Sequence, residues 1–139
     1  FRNCGKYFPQ KKDQSILQLV VHVQKYIGLH YPEPLTLDYI ASIFYVSKYY
    51  LSRVFKEITG YGYKEYLLLY RLNQAKKLLE STNTPVLEIS VLTGFKNVNH
   101  FIRSFRIHEN TTPLQYRKSS KNLPENGLQS EKETCHKIL

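Results

Sequence analysis

Hydrophobic positions recur at three- and four-residue steps along most of the chain and divide it into a series of amphipathic helices. Ile16, Leu19, Val20, Val23 and Ile27 form the first apolar stripe, and the helical pattern begins at Ser15. The stretch HYPEP ends it, because Pro32 and Pro34 lack a backbone donor and push their predecessors into extended geometry. Thr36 then serves as N-cap for a short helix, LDYIASIF. YVS makes a turn, and Ser47 caps the next helix, KYYLSRVFKEIT. Within it Leu51, Val54, Phe55 and Ile58 stand at i, i+3, i+4 and i+7 and predict a buried stripe. Gly60 supplies a left-handed end.

Residues 63–81 carry the longest continuous helical pattern, with apolar inner positions and Lys64, Arg71, Lys76 and Lys77 outside. After STNTP, Thr84 reads as an N-cap with Pro85 at the first helical position, where a missing donor does no harm. VLEISVL is a short helix and TGFKN a turn containing Gly94. Asn97 caps VNHFIRSFRIHE, and Asn110 takes the left-handed position at its end. Thr112 and Pro113 repeat the cap-plus-proline device for a last helix, LQYRKS. No alternating apolar/polar run calls for a sheet, so the predicted fold class is all-α.

The pattern repeats. At an offset of fifty, Leu51 pairs with Phe101, Arg53 with Arg103, Phe55 with Phe105, Lys56 with Arg106, Gly60 with Asn110 and Tyr66 with Tyr116. Upstream the offset is 49, pairing Ile40 with Ile89 and Ala41 with Ser90, so the second turn is one residue longer. These are two copies of one helical unit joined by the long helix. The expected organisation is a linker remnant over 1–14, helix–turn–helix units over 15–62 and 82–120, a connecting helix over 63–81, and a flexible tail over 121–139.

Packing explains the shared rings: Phe55, Phe105, Tyr66 and Tyr116 are expected in the core. It does not explain the arginines. At about 100° per residue, Arg53 and Arg103 point away from the apolar stripe. A helix–turn–helix places its second helix in the major groove of DNA, where arginine donates two hydrogen bonds to guanine O6 and N7. Two units on a rigid connector reach successive grooves, about 34 Å apart.

Charge agrees with a polyanionic partner. The formal charge is +9, and residues 15–120 hold thirteen basic against seven acidic residues, a net of +6. Cys4 and Cys135 offer neither a disulfide framework nor a metal-ligand spacing, which suits a reducing cytoplasm. No apolar run approaches the about 18–20 residues that a membrane span needs. The chain begins at Phe1 and has no methionine, so a longer parent protein is expected.

The stretches TLDYIASIFYVSKYYLSRVFKEITG, YLLLYRLNQAKKLLESTNTPVLEIS, GFKNVNHFIRSFR and TTPLQYRK, from Thr36 to Lys118, resemble the DNA-binding domain of the AraC/XylS family of bacterial transcription regulators. The resemblance implies about seven helices in two helix–turn–helix, homeodomain-like subdomains with a connecting helix. Carried onto matching positions, it implies base readout by Tyr49, Ser52 and Arg53 in the first unit. In the second it implies Val98, Asn99, Ile102 and Arg103, with Asn99 suited to adenine. Val98 and Ile102 depart from the polar residues often found there, and either contact thymine methyls or pack. Ser47, Lys48, Tyr50, Lys56, Lys96, Asn97, His100 and Arg106 fall to the DNA backbone. Asn110 stands where Gly is usual and Ser90 where Ala is usual; the Ser90 hydroxyl is expected to bond back to a helix carbonyl. The family also implies activation through RNA polymerase, an N-terminal sensing or dimerising domain, and a place on the cytoplasmic nucleoid.

Two rivals remain at the level of sequence. An enzyme would need chemistry that the motifs do not supply: the five histidines form no HExxH pair, and there is no GxSxG, phosphate-cradling loop or carboxylate cluster. Some DNA-repair proteins carry such a domain beside catalytic cysteines, but Cys4 and Cys135 lie outside the matching stretch. No cofactor or metal is therefore expected. A protein-interaction or RNA-binding module that has kept the fold is the other alternative, and the retained arginines and charge argue against it.

Overall fold

The computed structural model describes residues 11–122, and among them there are seven α-helices and no strand. In chain order these are α1 (Lys11–His30), α2 (Leu37–Ile43), α3 (Lys48–Thr59), α4 (Tyr63–Ser81), α5 (Val86–Leu92), α6 (Val98–Glu109) and α7 (Pro113–Asn122). The all-α reading holds. Cys4, Cys135, most of the expected linker and most of the tail lie outside the described residues. The helix α1 starts four residues before the expected Ser15.

The chain divides into two units, and the division falls inside α4, after Tyr66. The first unit comprises α1, Leu35 to the end of α3, and the opening of α4; α1 and α2 pack on α3. Its core is built from Val20, Val23 and Ile27 of α1, Leu35, Ile40 and Ala41, and Leu51, Val54 and Phe55 of α3. Tyr63 and Tyr66 close it, both rings set edge-on to Phe55 at 5.8 and 5.2 Å. The Tyr63 hydroxyl donates to the Leu35 carbonyl at 2.8 Å, so the ring is buried without an orphaned polar end.

The second unit contains the rest of α4, α5, α6 and α7, together with residues Tyr31–Pro34; α5 and α7 pack on α6. Leu72, Ala75, Leu79, Ile89, Phe95, Phe101 and Phe105 form its core, with Tyr116 and Ile102 packed against the edge. The repeat read from sequence is thus a repeat of packing. Phe55 and Phe105 are fully buried, and Tyr66 is buried while Tyr116 is half-buried. Tyr116 donates to the Glu80 carboxylate.

The two turns match in backbone as well. Tyr45 N–H bonds Ser42 O and Val46 N–H bonds Ala41 O; one copy later, Gly94 bonds Val91 O and Phe95 bonds Ser90 O. Each turn is the helix ending in which the residue after the cap is left-handed. Gly94 meets that demand at φ 94°, but the first copy meets it with Tyr45 at φ 58°. A glycine is needed at 94 for a second reason. A Cβ there would lie 2.8 Å from Tyr31 O and 2.9 Å from Arg71 Nε.

Several expectations need correction. Ile58 is 42% exposed, because the stripe runs on to the last turn of α3 while the core does not; the repeat puts exposed His108 at the matching place. Thr84 is not the cap of α5. Pro85 itself stands at that position with ψ 148°, and no side chain caps the helix. Its counterpart at an offset of 49 is Thr36, which does cap α2 through Oγ1, at 3.1 Å from Tyr39 N. Arg71 and Lys76 are not on an outer face. Arg71 donates to Tyr31 O at 2.8 Å and Glu33 O at 2.7 Å, holding the loop that follows α1. Lys76 is buried and pairs with Glu109 at 3.2 Å, tying α4 to the end of α6. The bond expected of Ser90 is present, from Oγ to Leu87 O at 2.6 Å.

Candidate nucleic-acid interface

The helices α3 and α6 are each started and stopped by the same device. Ser47 Oγ accepts from Tyr50 N–H at 3.1 Å, and Asn97 Oδ1 accepts from His100 N–H at 2.7 Å. Each cap satisfies one of the amides that a helix start leaves without an internal partner. At the other end Gly60 and Asn110 are left-handed, at φ 82° and 59°, and their N–H groups return to Lys56 O and Arg106 O. One face of each helix is committed to its core: Leu51, Val54 and Phe55 in α3, and Phe101, Ser104 and Phe105 in α6. The opposite face is left to solvent.

In α3 that face carries Tyr49, Ser52, Arg53 and Lys56, all exposed. The Arg53 guanidinium lies 5.6 Å from the centre of the Tyr50 ring, and Lys48 Nζ lies 5.4 Å from that of Tyr49. Lys48 also pairs with Asp38 of α2 at 3.5 Å, an exposed pair of little energetic weight. In α6 the exposed residues are Asn99, His100, Arg103 and Arg106, with Lys96 and Asn97 exposed just ahead of the helix. The His100 ring rests 5.6 Å from that of Phe95. Each sequence-predicted set is therefore brought together on one helix of its own unit.

Val98 and Ile102 are half-buried. Ile102 packs against the core and also lines a groove of about 440 Å³ together with Asn99, Arg103, Arg106 and Ile107. Val98 is not among the residues lining it. Ile107 is not among the sequence-predicted residues, although it lies four residues beyond Arg103 and eight beyond Asn99, on the same helical ridge. Among the described residues no group of His, Cys, Asp and Glu side chains is placed to hold a metal ion, and no helix is long and apolar enough to cross a membrane.

Two helix–turn–helix units, each with an exposed arginine on its second helix, define a nucleic-acid-binding class of protein. The comparisons with known proteins agree. The family described as "Helix-turn-helix domain" matches residues 40–119. The bifunctional transcriptional activator/DNA repair enzyme AdaA of Bacillus subtilis is 33% identical over 121 residues, covering 87% of this chain and 57% of that protein. A transcriptional regulator of Chromobacterium violaceum, described as of AraC-type DNA-binding domain-containing proteins, superposes with a TM-score of 0.72 at 30% identity, covering 80% of this chain and 99% of the other. The DNA-binding domain of the global transcriptional factor AdpA, solved in complex with a target DNA, superposes with a TM-score of 0.73 at 25% identity, over 78% of this chain and 97% of that one. The chain belongs to the AraC-type family of helix–turn–helix DNA-binding domains of transcription regulators. It spans a little over half the length of AdaA.

Proposed function

We propose that this domain reads operator DNA through the exposed faces of α3 and α6. The observation that carries the reading is the pair Arg53 and Arg103, exposed at equivalent places on two helices capped and terminated alike. Tyr49, Ser52 and Arg53 face the bases of one block, and Asn99, Ile102 and Arg103, with Val98 beside them, those of a second. Lys48, Tyr50, Lys56, Lys96, His100 and Arg106, with the helix starts at Ser47 and Asn97, hold the phosphates. The first helix of each unit lies across the backbone. In the full-length protein an N-terminal domain senses or dimerises, and the DNA-bound protein activates transcription through RNA polymerase on the cytoplasmic nucleoid. The domain is a binding module and not itself an enzyme; the repair activity in AdaA's description is a property of that protein.

Selection of bound duplexes from a random library tests this directly. The recovered sites are expected to hold two short blocks about one turn apart. Arg103→Ala should relax one block and leave the other, with a loss of about 10- to 100-fold against the parent site, the worth of one bidentate contact. Sites left unchanged by both Arg103→Ala and Arg53→Ala would sink the assignment.

A further inference from the structure

Tyr45 stands at a place where the fold accepts a glycine. It follows Phe44, the last cap residue of α2, with φ 58°, a left-handed conformation that strains any residue with a side chain. Its backbone is fixed there: Tyr45 N–H donates to Ser42 O at 3.3 Å and Val46 N–H to Ala41 O at 3.1 Å. Packing does not offset the strain, since the residue is 93% exposed. The second unit makes the same turn with Gly94 at φ 94°. A Cβ at 94 would lie 2.8 Å from Tyr31 O, so only the first unit has room for a side chain at this place. Strain held at a residue that packing does not support points to a use for its side chain.

Tyr45 precedes Ser47, the N-cap of α3, by two residues, at most about 7 Å of chain. With α3 in the major groove, the turn that leads into it lies beside the phosphates bordering that groove. Lys48 and Tyr49, both exposed, follow directly in the first turn of α3. A duplex offers at its border a row of anionic oxygens, which accept hydrogen bonds and donate none. The Tyr45 phenol is a neutral donor at the end of a rigid ring and matches that chemistry. We propose that Tyr45 donates its hydroxyl to a phosphate oxygen bordering the first block, a contact that the second unit cannot make from Gly94. The proposal rests on the reading that α3 enters the major groove. It makes Tyr45 a DNA-contact residue outside both exposed helices, and it gives the left-handed strain a function in binding.

The test uses the whole chain and the sites recovered by selection. Tyr45→Phe removes the hydroxyl and keeps the ring and the backbone, whereas Tyr45→Gly removes the side chain and the strain. Each should bind the parent site about tenfold more weakly, the worth of one hydrogen bond to a charged group. Each should also recover the same sequence on selection, because a phosphate contact carries no base identity. Tyr45→Gly should lose affinity while its urea midpoint moves later, so that binding and stability change in opposite directions. The salt slope should stay that of the parent chain, since a phenol neutralises no phosphate charge. Each phosphate bordering the two blocks is then replaced in turn by an uncharged methylphosphonate. One of these, beside the first block, should weaken the parent chain and leave Tyr45→Phe no weaker than before, with every other penalty shared by the two proteins. Tyr45→Phe binding like the parent chain, or keeping every methylphosphonate penalty, overturns the proposal while leaving DNA reading intact. Failure to recover any first block would instead overturn the reading beneath it.

Discussion

Tyr45 and Gly94 occupy one position in two copies of the same turn, and they put opposite demands on the chain. A left-handed residue with a side chain carries about 1–2 kcal/mol of strain. Tyr45 bears it at φ 58°, with a ring 93% exposed that gains little from packing. Tyr45→Gly is therefore expected to raise the unfolding free energy by about 1 kcal/mol, read as a later urea midpoint at unchanged slope. Gly94→Ala should do the reverse and by more. It meets the same strain and also drives a methyl group against the Tyr31 carbonyl and the Arg71 side chain. Gly60→Ala separates the two causes, since nothing lies within 4 Å of a Cβ there. Its loss should be about 1 kcal/mol, from backbone strain alone. Equal losses at 60 and 94 would mean that the approach of the loop to Gly94 carries no energetic weight.

At the scale of the element, the caps are what fix the starts of α3 and α6. Replacing Ser47 or Asn97 by Ala strands an amide at the helix start and should cost about 1 kcal/mol each; Ser47→Gly should cost only a few tenths. Urea titration of the three variants checks the order, and an Ala as mild as Gly would show that the Oγ–amide bond contributes nothing. Ser47 and Asn97 are legible as caps because Ser and Asn have a short acceptor at the right distance from the third amide onward; Thr84 carries the same acceptor, but Pro85 takes the cap position there. Thr112 is legible as Ser47 and Asn97 are: its Oγ1 accepts from Gln115 N–H at 3.2 Å with Pro113 leading the helix. What was illegible depends on neighbours. A helical wheel gives direction but not how far an adjoining element reaches, so Ile58 was placed in a core that ends before it. It also assumes one wet face. In the second unit α4 is used in three directions, with Leu72, Ala75 and Leu79 toward the core, Arg71 toward residues 31–33 and Lys76 toward Glu109. Two basic residues that looked solvated are structural for that reason. Arg53 and Arg103 are exposed, as the helical wheel predicts, because the faces opposite them are filled by their own units. Ile107 escaped because a lone exposed isoleucine is unremarkable until its groove is seen.

For the whole molecule the question is what its charge of +9 does. Basic side chains that neutralise phosphates release counterions, so affinity falls with salt at a slope of about 0.9 per phosphate contact. Arg71 and Lys76 are engaged inside the second unit and should not count toward that slope. Lys56 and Arg106, exposed at matching places one turn beyond Arg53 and Arg103, should. Binding isotherms over a salt series with a fixed selected site are expected to separate the roles. Lys56→Gln and Arg106→Gln should each lower the slope by about 0.9 and leave the selected sequence unchanged, because a phosphate contact carries no base identity. Arg53→Ala and Arg103→Ala should change the selected sequence, one block each. The comparison decides between a domain that reads with α3 and α6 and one that only adheres to DNA through its net charge. In the second case all four substitutions would lower the slope alike, and none would alter the sequence recovered.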